Sequence, residues 1–301
     1  MRADIARSLA DFCRRLTPEV GFIPTAVPGL ACVRRIAAGE KRSFQNPYVA
    51  VVLQGRKRTV VGAVEHTYGP GDIVVTCIDF PSFTTIEEAS PEKPFLSVVL
   101  EMNRDLMTEL SLQLAEQSLP EEAGGQPFFV SSCSDSIAAS YLRLLELTET
   151  PDDIPLLAPI LTRELHARLL LSPMGGWIRS VCSVGTHSNQ IARAVTLIKN
   201  DFREPLTVAD VARRVGLSEA SFHRHFKACT GHTPIQYQKI LRLYEGRLIL
   251  KSGRKSVSGA AYEVGYASSS QFTNDYRRFF GMSPREDAKN GFTAEGADEA
   301  A

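Results

Sequence analysis

The sequence has no surplus of either charge, no paired cysteines and no long apolar run, and each absence removes a class of protein. Lys+Arg and Asp+Glu both number 34, giving a formal net charge of zero, so the whole-chain balance points to no partner. The six cysteines, Cys13, Cys32, Cys77, Cys133, Cys182 and Cys229, stand singly with no Cys-x-x-Cys pair. That pattern fits neither a disulfide framework nor a zinc site, and a reducing compartment is the simpler reading. No stretch approaches the roughly 18 consecutive apolar residues of a membrane helix. Met1 to Leu16 mixes charged and apolar residues without the apolar core and cleavage site of a signal peptide. A cytoplasmic location with no membrane partner is expected.

What is there is the composition of a folded protein. The 301 residues are 44% apolar and 23% charged, enough for two or three units with real cores. The neutral total conceals an asymmetry, because residues 190–288 hold 16 Lys+Arg against 9 Asp+Glu. The basic end is the candidate polyanion binder.

Short apolar or β-branched runs at Ala31 to Ile36, Tyr48 to Leu53, Arg58 to Val61, Ile73 to Thr76 and Phe95 to Leu100 read as strands. Gly55, Gly62, Gly69-Pro70-Gly71-Asp72 and Pro81 punctuate them as turns. The spacing predicts an all-β sandwich or small barrel. From Arg104 the period lengthens: Leu106, Met107, Leu110 and Leu114 mark a helix that a Gly124-Gly125 break follows. Ile137, Tyr141, Leu144, Leu145 and Thr148 form one further stripe, and Leu157, Ile160, Leu161, Leu165, Leu169 and Leu170 another. These helices read as a satellite core or as a subunit interface. Gly175 to His187 reads as a linker, and residues from Lys289 as a frayed tail.

The C-terminal third contains a repeat. Val208, Val211, Ala212 and Val215 precede Gly216-Leu217-Ser218 and a helix carrying Phe222 and Phe226; Val257, Ala260, Ala261 and Val264 precede Gly265-Tyr266 and a helix carrying Phe272 and Tyr276. The copies close on Thr230-Gly231-His232-Thr233-Pro234 and Phe280-Gly281-Met282-Ser283-Pro284. Thr207, Ser218, Ser256 and Ser268 are suited to cap the helices, Ser268 with Gln271 in a capping-box arrangement. Two helix-turn-helix units are implied. If the aromatics face inward, helical geometry turns Ala220, His223, Arg224 and Lys227 outward in the first unit, and Ser270, Thr273, Asn274 and Arg277 in the second. Arg224 suits guanine and Asn274 adenine, while Lys227 and Arg277 suit phosphates. Pro234 to Leu250 reads as a connecting helix of roughly 25 Å. Such a rod could set two recognition helices into successive major grooves, about 34 Å apart.

From Ile191 through Glu286 the sequence resembles the AraC-type DNA-binding domain, above all in Glu263-Val264-Gly265-Tyr266, Gln271-Phe272 and Tyr276-Arg277-Arg278-Phe279-Phe280-Gly281-Met282-Ser283-Pro284. The resemblance implies base reading by Ala220, His223 and Arg224 and by Ser270, Gln271 and Asn274. Phosphate contacts are expected from Lys227, Thr273 and Arg277. Gly246 and Gly259 depart from helix preference by about 1 kcal/mol each against alanine, which predicts a less rigid second unit. Upstream, Pro47-Tyr48 to Arg58, Tyr68-Gly69-Pro70-Gly71-Asp72 and Ala158-Pro159-Ile160 to Leu170 resemble the cupin-like N-terminal domain of one subgroup of AraC/XylS-type regulators.

Together these readings give an α+β chain: a cupin-like β-barrel with flanking helices, then an all-α domain of two helix-turn-helix units joined by a linker helix. The expected divisions are 1–125 for an effector-binding barrel, 126–186 for a helical dimerisation segment and linker, 187–288 for the DNA-binding domain and 289–301 for the tail. The expected partners are double-stranded promoter or operator DNA, a small-molecule effector, a second copy of the chain and RNA polymerase. Arg35, Phe44, Tyr48, His66, Cys77 and Phe83 are the candidate effector-pocket residues. Arg58 and Phe80 are further candidates of the same kinds, although strand arginines and aromatics also serve ordinary surfaces and cores. The competing reading is a metal-dependent cupin enzyme with a helical scaffold. Its clustered histidines are missing, since His66 is the only histidine in the first 165 residues and Glu65 beside it cannot complete a ligand set. No catalytic residue, metal or cofactor is therefore expected.

Overall fold

The computed structural model describes residues 1–62, 64–115, 128–182 and 185–289. Its first part runs α1 (Ala3–Leu16), β1 (Gly21–Pro24), β2 (Leu30–Arg35), β3 (Gly39–Gln45), β4 (Tyr48–Gln54), β5 (Arg56–Val61), β6 (Val64–Tyr68), β7 (Asp72–Thr76), β8 (Phe80–Glu88), β9 (Phe95–Glu101), α2 (Arg104–Ala115) and β10 (Phe128–Ser132). The strands form two sheets, ordered β1-β2-β9-β4-β7-β10 and β3-β8-β5-β6. The five apolar runs expected as strands are β2, β4, β5, β7 and β9; β1, β3, β6, β8 and β10 lie outside those runs. Pro81 is not a turn residue but lies in β8, paired with Phe44 on β3 and beyond the stretch of β8 paired with β5. The strand has only one partner there, so a residue without an N–H is tolerated.

Alternation along the strands assigns their faces. On β4, Val49 and Val51 join a large core beneath the six-stranded sheet, together with Ile73, Val75, Val98 and Leu100. Ala50 and Val52, and likewise Val74, Ser97 and Val99, point to the opposite side, where a cavity opens between the sheets. Val52, Val74, Phe80, Phe95 and Phe128 pack together from both sheets, which closes the barrel.

Helices α3 (Asp135–Glu146), α4 (Ile154–Leu170) and α5 (Gly175–Cys182) cover the outer face of the large sheet. Ser134 caps α3 by accepting from the Ile137 N–H, and the buried Tyr141 hydroxyl donates to the Val49 carbonyl at 2.7 Å. The segment expected as a linker, Gly175 to His187, instead folds largely into α5, all eight residues of which are buried. Its glycine start is required, because a Cβ on Gly175 would lie 1.9 Å from the Leu170 carbonyl oxygen. On α4 the apolar stripe divides: Leu165, Leu169 and Leu170 are buried, while Leu156, Leu157 and Ile160 face outward. The expected Gly124-Gly125 break and the tail beyond Lys289 lie outside the described residues.

The remainder is helical: α6 (His187–Asn200), α7 (Val208–Arg214), α8 (Glu219–Thr230), α9 (Pro234–Lys251), α10 (Val257–Glu263), α11 (Ser269–Phe280) and α12 (Pro284–Lys289). The pairs α7–α8 and α10–α11 are the two copies of the repeat, with Phe222, Phe226, Phe272 and Tyr276 fully buried. Ser218, Ser256 and Ser268 cap as expected, whereas Thr207 makes no side-chain cap. The reciprocal capping box forms at Thr233 with Gln236, at the start of α9. Between α10 and α11 the turn depends on Gly265, whose φ is +86° and whose added Cβ would lie 2.2 Å from the Arg203 carbonyl oxygen.

Helix α9 is 18 residues long, roughly 27 Å. Its Arg242 guanidinium donates to the carbonyls of Phe202, Arg203, Glu204 and Gly265 at 2.7 to 3.0 Å, tying the rod to the turns on either side. Gly246 does not loosen it. A Cβ there would meet the Phe272 ring at 2.8 Å, so the missing side chain is what lets α11 seat against α9. Gly259 meets no such close neighbour, with its nearest contacts at 3.4 Å. The two units differ in their anchoring. The core of the first, through Phe222, Phe226 and Tyr237, is continuous with that of the barrel and its helices, while the second has its own cluster around Phe272, Tyr276 and Leu241.

Candidate DNA-facing surface and interdomain cavity

The burial of Phe222 and Phe226 turns Ala220, Arg224 and Lys227 outward on α8, with His223 half-buried between them. On α11, Ser270, Gln271, Asn274 and Arg277 are exposed and Thr273 is half-buried. The Thr273 hydroxyl donates back to the Ser269 carbonyl at 2.9 Å. Beside these outward residues of α8, His225 stacks on His187 of α6 with centroids 4.1 Å apart, and its Nε2 lies 3.4 Å from Arg224 Nη2. Burial, and then the neighbouring His187 and Arg224, lower the His225 pKa, which favours the neutral ring.

The cavity between the sheets has a volume of about 1080 Å³. Four of the candidate effector residues line it, Arg35, Phe44, Tyr48 and Phe83. His66 and Cys77, expected in the pocket, lie outside it. The His66 ring packs on Phe128 at 5.0 Å. Cys77 is buried in the core on the far side of the large sheet, where burial pushes its thiol well above the ordinary value. The other wall of the cavity comes from the second helix-turn-helix unit: Arg247 and Lys251 of α9, and Arg278, Phe280, Gly281 and Met282 at the end of α11. Sequence reasoning missed these residues. They lie more than a hundred positions beyond the last barrel strand, and no local pattern marks a residue whose partner is that remote. Arg247 is fixed by Asp287, donating at 2.7 Å, and the Tyr276 hydroxyl donates to the same carboxylate at 2.6 Å. Burial opposes the Asp287 charge, but the hydrogen bonds from Arg247 and Tyr276 outweigh it and hold its pKa below the usual value.

A second junction joins barrel to helices at Asp79, between β7 and β8. Its buried carboxylate pairs with Lys199 of α6 at 2.5 Å and with Arg104 of α2 at 3.3 Å. Its carbonyl accepts from the Tyr237 hydroxyl of α9 at 2.9 Å, and Lys199 also donates to the Asn46 side chain at 3.0 Å. A buried carboxylate so placed holds only while its partners stay. Among the described residues no group of three or more His, Cys, Asp or Glu side chains is arranged to hold a metal ion. Burial also raises the thiols of Cys182 and Cys229, each to about 11. No described helix is long and apolar enough to cross a membrane.

A strand-built barrel and a pair of helix-turn-helix units, the second of which walls one cavity together with the barrel, define the class of helix-turn-helix regulators that carry an N-terminal barrel on the same chain. The family of the AraC-type transcriptional regulator N-terminus matches residues 26–177 and a helix-turn-helix domain matches residues 211–290; the chain belongs to the AraC-type transcriptional regulators. It is 35% identical over 104 residues to the HTH-type transcriptional regulator ArgR of Pseudomonas aeruginosa, covering 35% of this chain and 32% of that protein. To the HTH-type transcriptional activator RhaS of Salmonella schwarzengrund it is 29% identical over 173 residues, covering 57% and 61%. The chain thus spans less than two thirds of the length of these relatives. Among solved structures, ToxT from Vibrio cholerae shares the fold, with a TM-score of 0.60 at 12% identity over 88% of this chain and 98% of that one. A ToxT structure with unsaturated fatty acid bound superimposes with a TM-score of 0.57 at 14% identity, over 86% of this chain and 93% of that one.

Proposed function

We propose that the chain is a cytoplasmic, sequence-specific DNA-binding transcription regulator whose effector occupies the cavity between the barrel and the second helix-turn-helix unit. The observation that carries this reading is the double wall. A ligand there touches β-strand residues such as Phe44 and reader residues such as Arg247 and Phe280 together, so its affinity must depend on how barrel and reader are placed. That dependence is the requirement for ligand control. Arg35, Lys41, Lys57, Arg247, Lys251 and Arg278 outnumber Glu40, Glu101 and Asp287 around an apolar lining, which favours an anionic small molecule with an apolar body. A protein of like fold, ToxT, carries an unsaturated fatty acid.

In this reading Ala220, His223, Arg224, Ser270, Gln271 and Asn274 read bases, and Lys227, Thr273 and Arg277 hold phosphates. Residues 1–125 sense, 187–288 read, and the helices of 126–186 join two copies. The dimer is supported by Leu156, Leu157 and Ile160, which α4 leaves exposed as one apolar row. Genomic fragments retained by the purified chain should share one motif spanning two adjacent major grooves. Footprints on such a fragment should change with an apolar carboxylate of the right size. Equal retention of random fragments would defeat the specific reading, and protection indifferent to every small anion tried would defeat the effector reading. Ile160→Glu should convert a dimer to a monomer by sedimentation.

A further inference from the structure

We propose that Phe44 transmits occupancy of the cavity to both recognition helices at once; the inference rests on the effector reading above. Phe44 lies near the end of β3 and lines the cavity. It is also the point where the two helical cores meet the barrel, since it packs against the cluster containing the first unit and against the separate cluster of the second. Its ring touches two tyrosines of α9, Tyr237 at 5.6 Å and Tyr244 at 5.9 Å between centroids. These tyrosines are seven residues apart, two turns along one helix face.

From there the aromatic contacts fork. Tyr237 meets Phe226 edge-on at 5.5 Å, and Phe226 meets Phe222 at 5.3 Å; both phenylalanines are the buried side of α8. Tyr244 meets Phe279 at 5.6 Å and Phe280 at 5.3 Å. Phe280 packs on Tyr276 at 4.5 Å, and Tyr276 on Phe272 at 5.4 Å; these are the buried side of α11. Close-packed rings cannot yield one at a time without opening a void. A ligand that displaces Phe44 therefore shifts the seats of both readers, while their outward faces keep their own chemistry. Two residues further on, Asn46 accepts from Lys199 at 3.0 Å, which pins the end of the strand to α6 and limits where Phe44 can move.

The test uses the full chain, a DNA fragment it retains, and 1-anilinonaphthalene-8-sulfonate as an anionic, apolar cavity probe. The wild type should bind the probe with enhanced fluorescence and change its DNA affinity by at least about 5-fold, the lower end of ordinary coupling between sites. Phe44→Leu should still bind the probe while that change falls to within about 2-fold of none. Tyr244→Leu should keep the probe-dependent change in the footprint under α8 and lose it under α11. A second arm needs no ligand: Phe44→Leu should speed amide hydrogen exchange in both α8 and α11, and Phe83→Leu, on the same cavity wall, should not. A Phe44→Leu protein that binds the probe and responds like the wild type overturns the inference, as does unchanged exchange in both helices. A probe that binds the wild type without altering DNA affinity overturns it too. A probe excluded from the wild-type cavity counts instead against the effector reading, and the exchange arm then decides on Phe44.

Discussion

Gly62, at the tip of the β5–β6 hairpin, packs against Gly231, the left-handed cap of α8, so closely that a Cβ on Gly231 would lie 2.6 Å from the Gly62 Cα. The barrel thus rests backbone to backbone on the end of the first recognition helix. Gly62 has φ +62°, and a Cβ on it would lie 3.0 Å from the Gly231 Cα. Gly62→Ala should therefore combine left-handed strain of about 1 kcal/mol with a wedge between barrel and reader. Denaturant unfolding should show a loss of roughly 1–2 kcal/mol, and an unchanged midpoint would show that this contact carries no load.

Helix propensity and packing make opposite predictions for Gly246→Ala. Propensity alone promises a gain of about 1 kcal/mol. The added methyl, however, meets the fully buried Phe272 ring at 2.8 Å, and overpacking of this kind costs about 1–3 kcal/mol. The variant should melt below the wild type; a rise in Tm would mean that α9 and α11 do not meet as described.

The contacts proposed for the outward face of α8 are of two kinds, and substitution separates them. Arg224→Ala should cost roughly 1–3 kcal/mol on a specific site and relax base choice at one position, as loss of a bidentate guanine contact does. Lys227→Ala should weaken specific and random DNA alike and reduce the salt slope by about 1. Binding isotherms at several salt concentrations distinguish them. Identical losses for both variants on both DNAs would contradict the assignment.

His166 on α4 gives the fold a pH dependence whose sign follows from its partners. The ring is fully buried, with Nε2 accepting from the Asn103 N–H at 3.1 Å and Nδ1 lying 2.7 Å from the Thr162 carbonyl. That arrangement requires the neutral imidazole. Burial lowers its pKa, with the Thr162 hydrogen bond opposing to a smaller degree. The unfolded ring titrates near 6.5, so between that value and the lowered folded one the unfolded chain binds the extra proton. Stability is complete above about pH 6.5 and is lost as pH falls through this window. His66 and His232, also lowered by burial, add slope of the same sign. His166→Gln should therefore flatten the acid side of a Tm-against-pH curve without abolishing it, and an undiminished slope would place the titration elsewhere.

Local pattern made much of this molecule legible. The repeat from Thr207 and from Ser256, the inward aromatics and the serine caps are set by contacts within a few residues, so the two reading helices and their outward faces follow from spacing alone. The five apolar strands were visible for the same reason. The polar strands β3 and β6 and the proline-bearing β8 were not, because their place in a sheet comes from partners elsewhere in the chain. The buried helix α5 looked like a linker because its glycines, which local reasoning takes as breaks, serve a close approach to Leu170.

The candidate site divides in the same way. Arg35, Phe44, Tyr48 and Phe83 could be nominated from the barrel sequence, but His66 and Cys77 could not be told apart from them until their packing was seen. Periodicity and caps encode the parts within the chain: a strand-rich unit, a helical middle and a duplicated helix-turn-helix. How they meet is visible in the folded chain alone, where Arg247 and Phe280 line one cavity with Arg35 and Lys199 pairs with Asp79. Local spacing cannot encode such meetings, because they arise when apolar surfaces far apart in the chain are buried together and the polar groups caught between them must find partners.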